Sequence, residues 1–338
     1  MRCERDFRAM ICGAALTLAY VAGAQADAVA DFYRGKTVNV LIGVGVGGEY
    51  DLQARLVARH IGKHIPGHPA VVPQNMTGAG GLKMLNYLYG VAPKDGLAIG
   101  MIQNAFPALQ AVGAAGVQFD AGKMNWLGSI APVVETMAVW HSTGVTAIEQ
   151  ARAREIVAGA SARGAITYFY PAMMNELRGT RFKIVTGYTG GNQINLAMER
   201  GEVEARNNTW SSWKATKPDW LRDKKVAVIA QAGPRAADLD APSVEQLARN
   251  PEERLLIELV VSGTQLGRPF ATNAAPPERV AALRAAFAAA MKDPEFLAEA
   301  AKLGFEVDPV LGEKMQATVV KVLATPKDIA VKAKGLLE

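Results

Sequence analysis

The first clear change of hydrophobic period along the chain falls between residues 37 and 61. Thr37-Val38-Asn39-Val40-Leu41-Ile42 is short, apolar and rich in β-branched residues, and it reads as a strand. Leu52-Gln53-Ala54-Arg55-Leu56-Val57-Ala58-Arg59-His60-Ile61 repeats its apolar positions at helical spacing. Between them stand Gly43, Gly45, Gly47 and Gly48, followed by Glu49, Tyr50 and Asp51. Glycine allows a tight turn there and a close approach of a guest to backbone N–H groups. The helix start adds unpaired N–H groups and the positive end of its dipole. The junction is therefore predicted to be an anion site made mainly of backbone.

The same device recurs. Ala70-Val71-Val72-Pro73-Gln74-Asn75-Met76 reads as a second strand, running into Thr77-Gly78-Ala79-Gly80-Gly81 and a helix over 82–89. A turn at Pro93-Lys94-Asp95-Gly96 precedes a third strand, Ala98-Ile99-Gly100-Met101-Ile102. The rhythm restarts at Trp126. Strands are expected over 136–140, 156–159, 182–186 and 226–230, with a helix over 171–178. The 182–186 strand runs into Gly187-Tyr188-Thr189-Gly190-Gly191-Asn192 and a helix over 193–200. From Pro276 the pattern is helical, with Phe305-Glu306-Val307 as a possible return to a sheet. Alternating strands and helices predict α/β units with parallel sheets, in which ligands bind beyond the carboxyl ends of the strands.

Composition narrows the setting. In 338 residues, 50% hydrophobic and 20% charged positions predict a packed core rather than disorder, with room for two domains. Arg2, Arg5 and Arg8, an Ala-rich apolar run over 9–23 and Ala24-Gln25-Ala26 have the layout of a secretory signal peptide cleaved after Ala26. Both cysteines, Cys3 and Cys12, fall inside it, so the mature chain is expected to hold no disulfide, thiolate nucleophile or Cys metal site. Net charge is +5, and removing residues 1–26, with three Arg, one Glu and one Asp, leaves +4. This excess is mild and dispersed, unlike the basic stripe of a nucleic-acid binder.

Other chemistries fit less well. Gly43-x-Gly45-x-x-Gly48 matches the dinucleotide fingerprint, but Gln74-Asn75 stands where an acidic ribose ligand belongs. His60, His64 and His68 recur every four residues without an acidic ligand at metal spacing, and read as a solvated helix end. A Gly-x-Ser-x-Gly elbow for an exported hydrolase is absent from the sequence. Arg163, in a glycine-bounded loop, has the chemistry to grip a carboxylate in bidentate fashion. Trp210, beside Asn207 and Asn208, suits either a pocket wall or core packing, whereas Trp213 and Trp220 read as structural.

An ordered set of segments then resembles one family. It runs from Asp31-Phe32-Tyr33-Arg34-Gly35-Lys36-Thr37-Val38 through Gly47-Gly48-Glu49-Tyr50-Asp51-Leu52-Gln53-Ala54-Arg55 to Val72-Pro73-Gln74-Asn75-Met76-Thr77-Gly78-Ala79-Gly80-Gly81. Ala92-Pro93-Lys94-Asp95-Gly96, Gly187-Tyr188-Thr189-Gly190-Gly191 and Glu199-Arg200-Gly201-Glu202-Val203 continue it. Gly267-Arg268-Pro269-Phe270, Leu283-Arg284-Ala285-Ala286-Phe287 and Asp293-Pro294-Glu295-Phe296 close it. This set resembles the Bug family, the extracytoplasmic receptors of tripartite tricarboxylate transporters.

The resemblance implies an α/β, two-lobed periplasmic binding protein of the type II, Venus-flytrap form, with a ligand cleft between lobes. One lobe is expected over 27–130 and 264–338, the other over 131–263. The implied ligand is a small organic carboxylate, handed to a two-subunit membrane permease, and the receptor is implied to be a periplasmic monomer with no cofactor, metal or catalytic residue. The first lobe is expected to offer Gly45, Val46, Gly47, Gly48, Tyr50 and Asp51, then Asn75, Gly78, Ala79 and Gly80, with Asn104. The second is expected to offer Ser161, Arg163 and Gly164, then Tyr188, Thr189 and Gly190, with Asn207 and Trp210. Two positions depart from the family pattern. Glu49 replaces a small or hydroxyl residue, and Ser161-Ala162-Arg163-Gly164-Ala165 lacks the usual Gly/Ser-rich form.

Overall fold

The computed structural model of the protein describes residues 28–337; the expected export segment 1–26 lies outside the described residues. The strands are β1 (Thr37–Ile42), β2 (Ala70–Asn75), β3 (Ala98–Met101), β4 (Asn125–Ser129), β5 (Glu135–Trp140) and β6 (Ile156–Gly159). They continue as β7 (Phe182–Val185), β8 (Ala205–Thr209), β9 (Val226–Ala232), β10 (Phe270–Thr272) and β11 (Val310–Leu311). Two sheets result, ordered β11-β4-β10-β3-β1-β2 and β7-β6-β8-β5-β9. Each sheet with its helices forms one lobe.

The expected parallel arrangement holds for only part of each sheet. β1 runs parallel to β2 and β3, and β6 runs parallel to β7 and β8. Where the chain crosses between lobes the direction reverses. β5 is antiparallel to β8 and β9, and β10 is antiparallel to β3 and β4. A strand entering from the other lobe needs no helical crossover, so it is free to pair antiparallel. The short return strand falls at Val310–Leu311 rather than at residues 305–307 and pairs with β4.

Helix Ile166–Arg178 begins before the Pro171 start suggested by the sequence. Ile166, Phe169, Tyr170 and Met173 bury against the second sheet, and that burial outweighs the single donor Pro171 lacks. Helix Lys327–Leu337, expected with the first lobe, packs instead on Ile166–Arg178 and Pro251–Val261. His60 and His64 are not at a solvated helix end. Their Nε2 atoms lie 2.7 Å from Glu299 and 2.8 Å from Asp293, while Lys63 Nζ is 2.6 Å from both Asp293 and Glu295. These pairs tie helix Glu49–Ile61 to helix Pro294–Lys302, so the helix that opens on the glycine loop is fixed from its far end. Trp213 and Trp220 are fully buried in the second lobe, where Trp140 packs edge-on to Trp220. No helix among the described residues is long and apolar enough to cross a membrane.

The two crossings lie side by side. Val133 N–H donates to Thr264 O at 2.9 Å, and Gly267 sits at φ +64° with Ala131 O only 1.9 Å from where a Cβ would stand. Gly113 has a similar φ, +62°, but open space around it. Gly113→Ala should cost only the left-handed penalty, about 1–2 kcal/mol. Gly267→Ala should cost at least about 2 kcal/mol more, because backbone must move as well; urea unfolding of the two variants measures the difference.

Candidate cleft site

The turn between β1 and helix Glu49–Ile61 is braced from behind by side chains. Gly47, at φ +86°, donates its N–H to Asp51 Oδ2 at 3.0 Å. Asp51 also accepts from Arg55 Nε at 3.0 Å and from Asn75 Nδ2 at 2.9 Å, and Asn75 Nδ2 reaches Val44 O at 2.8 Å. Burial alone would raise the Asp51 carboxyl, but these donors outweigh it and hold it below the ordinary carboxylate range. Asp51 and Asn75 thus set the shape of the turn.

The opposing glycine loop touches this turn directly. Gly45 N–H donates to Thr189 O at 2.9 Å, and a Cβ on Gly45 would lie 2.9 Å from Thr189 Oγ1. A Cβ on Gly190 would lie 3.2 Å from Gly45 N, and one on Gly47 would lie 3.2 Å from Asn192 Nδ2. The glycines are required here by the approach of the lobes to each other. In this state the central glycine of the dinucleotide fingerprint gives its N–H to Thr189 O.

Beneath the loops lies a cluster of buried charges. Glu49 turns into the cleft and is 4% exposed. Its Oε2 accepts from Arg268 Nε at 2.8 Å, Arg268 Nη2 at 2.6 Å and Thr209 Oγ1 at 2.5 Å. Its Oε1 accepts from Ser211 Oγ and, at 3.2 Å, from Gln53 Nε2. Thr209 and Ser211 belong to the second lobe, so this carboxylate joins the two lobes. Arg268 also donates to Tyr50 Oη at 3.0 Å and lies 3.5 Å from Glu135. Burial penalises its charge, but Glu49, Tyr50 and Glu135 outweigh that and push the guanidinium above its ordinary value. Tyr50 Oη donates to Asn104 Oδ1 at 3.2 Å, and Asn104 Nδ2 reaches Gly263 O at the second crossing.

Arg206, on β8, is the second guanidinium. It is 4% exposed, and all its acceptors are neutral: Asn207 O at 3.1 Å, Gly191 O at 2.6 Å, Asn195 Oδ1 at 2.7 Å and Asn208 Oδ1 at 3.0 Å. Burial pulls its pKa down to about 9. Around it, Glu135 Oε2, Asn207 Oδ1 and Asn208 Nδ2 are buried without a hydrogen-bond partner among the described residues. Buried polar atoms are seldom left so in a finished interior. A cavity of about 50 Å³ lies between these groups.

Of the residues anticipated from sequence, Gly47, Gly48, Tyr50, Ser161, Gly190 and Asn207 line this cavity. Gly45 and Thr189 close over it, and Asn104 stands behind Tyr50. Val46 is 65% exposed and is not part of the lining. Gly78 and Ala79 turn the second loop at positive φ, and Gly80 approaches Ala162 and Ala165 across the cleft, outside the cavity lining. Gly164 packs on Leu109, and Tyr188 lies beside Gly159. Arg163 borders a separate groove with Tyr168 and Glu176. Trp210 gives its Nε1–H to Asp238 at 2.8 Å on another face. Sequence reasoning missed Glu135, Arg206 and Arg268. A signal existed for Glu135, a single charge in the run Val133-Val134-Glu135-Thr136-Met137-Ala138-Val139; Arg206, between Glu204 and Asn207-Asn208, carries none.

Two outcomes test this geometry. Arg268→Met strands a buried carboxylate and should lower stability by about 3–5 kcal/mol, and adding Glu49→Gln should restore part of the loss in urea unfolding. Burial raises the Glu135 carboxyl above its ordinary 4.5, with Arg268 opposing and Glu49 reinforcing. A raised carboxyl binds its proton more tightly in the folded chain. Its stabilising contribution is complete below the unfolded value, 4.5, and is lost as pH rises through the folded one. Glu135→Gln should therefore lose less stability than the wild type between about pH 5 and pH 8.

No model of a known family matches the chain. A Cupriavidus necator protein described as "UPF0065 protein in gbd 5'region" is 26% identical over 322 residues, covering 90% of each chain. The solved periplasmic binding protein BugD superposes with a TM-score of 0.72 at 18% identity, covering 89% of this chain and 98% of its own. R. palustris Rpa4515, solved with adipate, superposes at 0.69 and 19% identity, covering 89% and 97%. In fold, and in sequence over nine-tenths of its length, the chain is similar to the Bug-type periplasmic binding proteins.

Proposed function

We propose that the protein is a non-enzymatic solute receptor that captures a small organic carboxylate in the interlobe cleft and delivers it to a membrane permease of the tripartite tricarboxylate type. One observation carries the reading: Arg206 is a buried cation on the cleft wall whose partners are all neutral. A desolvated guanidinium whose hydrogen-bond partners are all neutral is costly, and an anionic guest bonded to it lowers that cost. The adipate in Rpa4515 is an anion of this class. The layout of residues 1–26 supports export to the periplasm, and a monomer of two lobes divided near residues 130 and 263 would close by hinge motion.

With the lobes in contact the cavity is about 50 Å³, against roughly 150 Å³ for a cavity that admits benzene. Entry of an acid of adipate's size therefore requires the Gly45–Thr189 contact to part. Ligand binding then shifts the population toward a state closed around the guest, with Gly45 and Thr189 further apart than here.

Thermal unfolding against mono- and dicarboxylates, aromatic acids and NAD tests the reading. An acid at 100 times its dissociation constant should add about 2.7 kcal/mol, a rise of roughly 2–4 °C. Arg206→Met should weaken acid binding at least about 100-fold in calorimetry while circular dichroism still reports a folded chain. Stabilisation by NAD alone, or undiminished affinity in Arg206→Met, would overturn the assignment.

A further inference from the structure

The buried charges in the cleft differ in how completely they are satisfied, and that difference bears on what kind of acid fits. Both oxygens of Glu49 are occupied, Oε2 by Arg268 and Thr209 and Oε1 by Ser211 and Gln53. These donors come from both lobes, as they would around the carboxylate of a bound guest. The Glu49 carboxylate also sits at the N-terminus of its helix, where the dipole favours an anion.

Arg206 is in the opposite condition. Its four hydrogen bonds engage four of its five N–H groups, which leaves one on Nη2. Asn208 holds that same Nη2 through Oδ1, and its own Nδ2 has no partner. The spare guanidinium N–H and the amide N–H thus form a donor pair for one carboxylate. The remaining unpartnered atoms, Glu135 Oε2 and Asn207 Oδ1, are acceptors when Glu135 is ionised. They suit a neutral donor and would face a second carboxylate with like charge or lone pairs.

Charge balance agrees. Two guanidiniums, Arg206 and Arg268, face two carboxylates, Glu49 and Glu135, in one buried cluster. The cluster is neutral with Glu135 ionised and carries one positive charge with it protonated. A single added carboxylate brings one negative charge to the neutral cluster. A dicarboxylate brings two, the second against Glu135, where desolvated charge is costly.

We propose that Glu49 is a built-in substitute for one ligand carboxylate, so that the cleft selects acids with a single carboxylate, held by Arg206 and Asn208, and a neutral hydrogen-bond donor such as a carboxamide at the other end. This rests on the carboxylate-receptor reading and narrows it.

The test is calorimetry on the mature chain with matched sets at three lengths: succinate, succinamate and succinamide, and the corresponding glutaric and adipic compounds. The acid-amide should bind at least about ten-fold more tightly than the diacid at every length that binds. In Glu49→Gln, which keeps hydrogen-bonding groups but removes the charge, the diacid should gain at least about ten-fold and the acid-amide less. A diacid equal to or tighter than its acid-amide in the wild type would overturn this inference and leave the receptor reading intact. Binding of no compound in the set would overturn this inference and leave the receptor reading to the wider acid panel, whereas binding of the diamides alone would overturn both. The wild-type comparison decides the matter even if Glu49→Gln does not fold.

Discussion

The buried pairing of Glu49 with Arg268 is the constraint around which the cleft is arranged. The side chains are 2% and 4% exposed, so neither charge has water to fall back on. Such a pair contributes little net stability compared with well-packed apolar residues, yet removing one partner is severe. It therefore acts less as glue than as a fixed register. Glu49 starts the helix of the first glycine turn, Arg268 follows directly on the second crossing, and Thr209 and Ser211 bring the second lobe to the same carboxylate. Three parts of the chain distant in sequence must arrive together before any of these charges can be buried.

That arrangement links the hinge to the site. Glu135 begins β5 immediately after the first crossing, and Arg268 precedes β10 immediately after the second. The crossings are bonded to each other through Val133 and Thr264, and Gly267 packs against Ala131 O without room for a side chain. Asn104 adds a connection from the Tyr50 hydroxyl to Gly263. The proposed rotation of the lobes about these segments would change the distance from Glu49 to Thr209 and Ser211 before it disturbed either sheet. The charge cluster is thus placed where opening and closing are first felt.

Much of the fold was legible because local periodicity and burial agree. β1, β2 and the helix after them follow from their hydrophobic spacing, and the glycine loops fall where the sequence places them. Strand direction was not legible, since a buried strand such as β5 gives the same pattern in either orientation. The strands at Phe270–Thr272 and Val310–Leu311 are too short to carry a period and exist through their partner β4. The site divided in the same way. Turn residues such as Gly47 and Gly190 announce themselves as members of glycine loops between a strand and a helix. Glu135 announces itself only as a charge in an apolar run, Arg206 and Arg268 not even that, and their meaning depends on long-range partners that no local pattern encodes.

The role of the glycine turn changes accordingly. A helix start with free N–H groups suggests that an anion binds to backbone, but here the anion nearest that start is the chain's own Glu49, and Gly47 N–H is engaged by Asp51. The positive end of the helix dipole is already answered from within. On the proposed reading, recognition moves across the cleft to β8, where Arg206 and its neighbouring amides hold the unused donors. A single residue, Glu49, accounts for this shift, because a small side chain in its place would leave Arg268, Thr209 and Ser211 facing the guest. On this argument the chemistry of the cleft was decided less by the glycine framework than by which charges the chain supplies for itself.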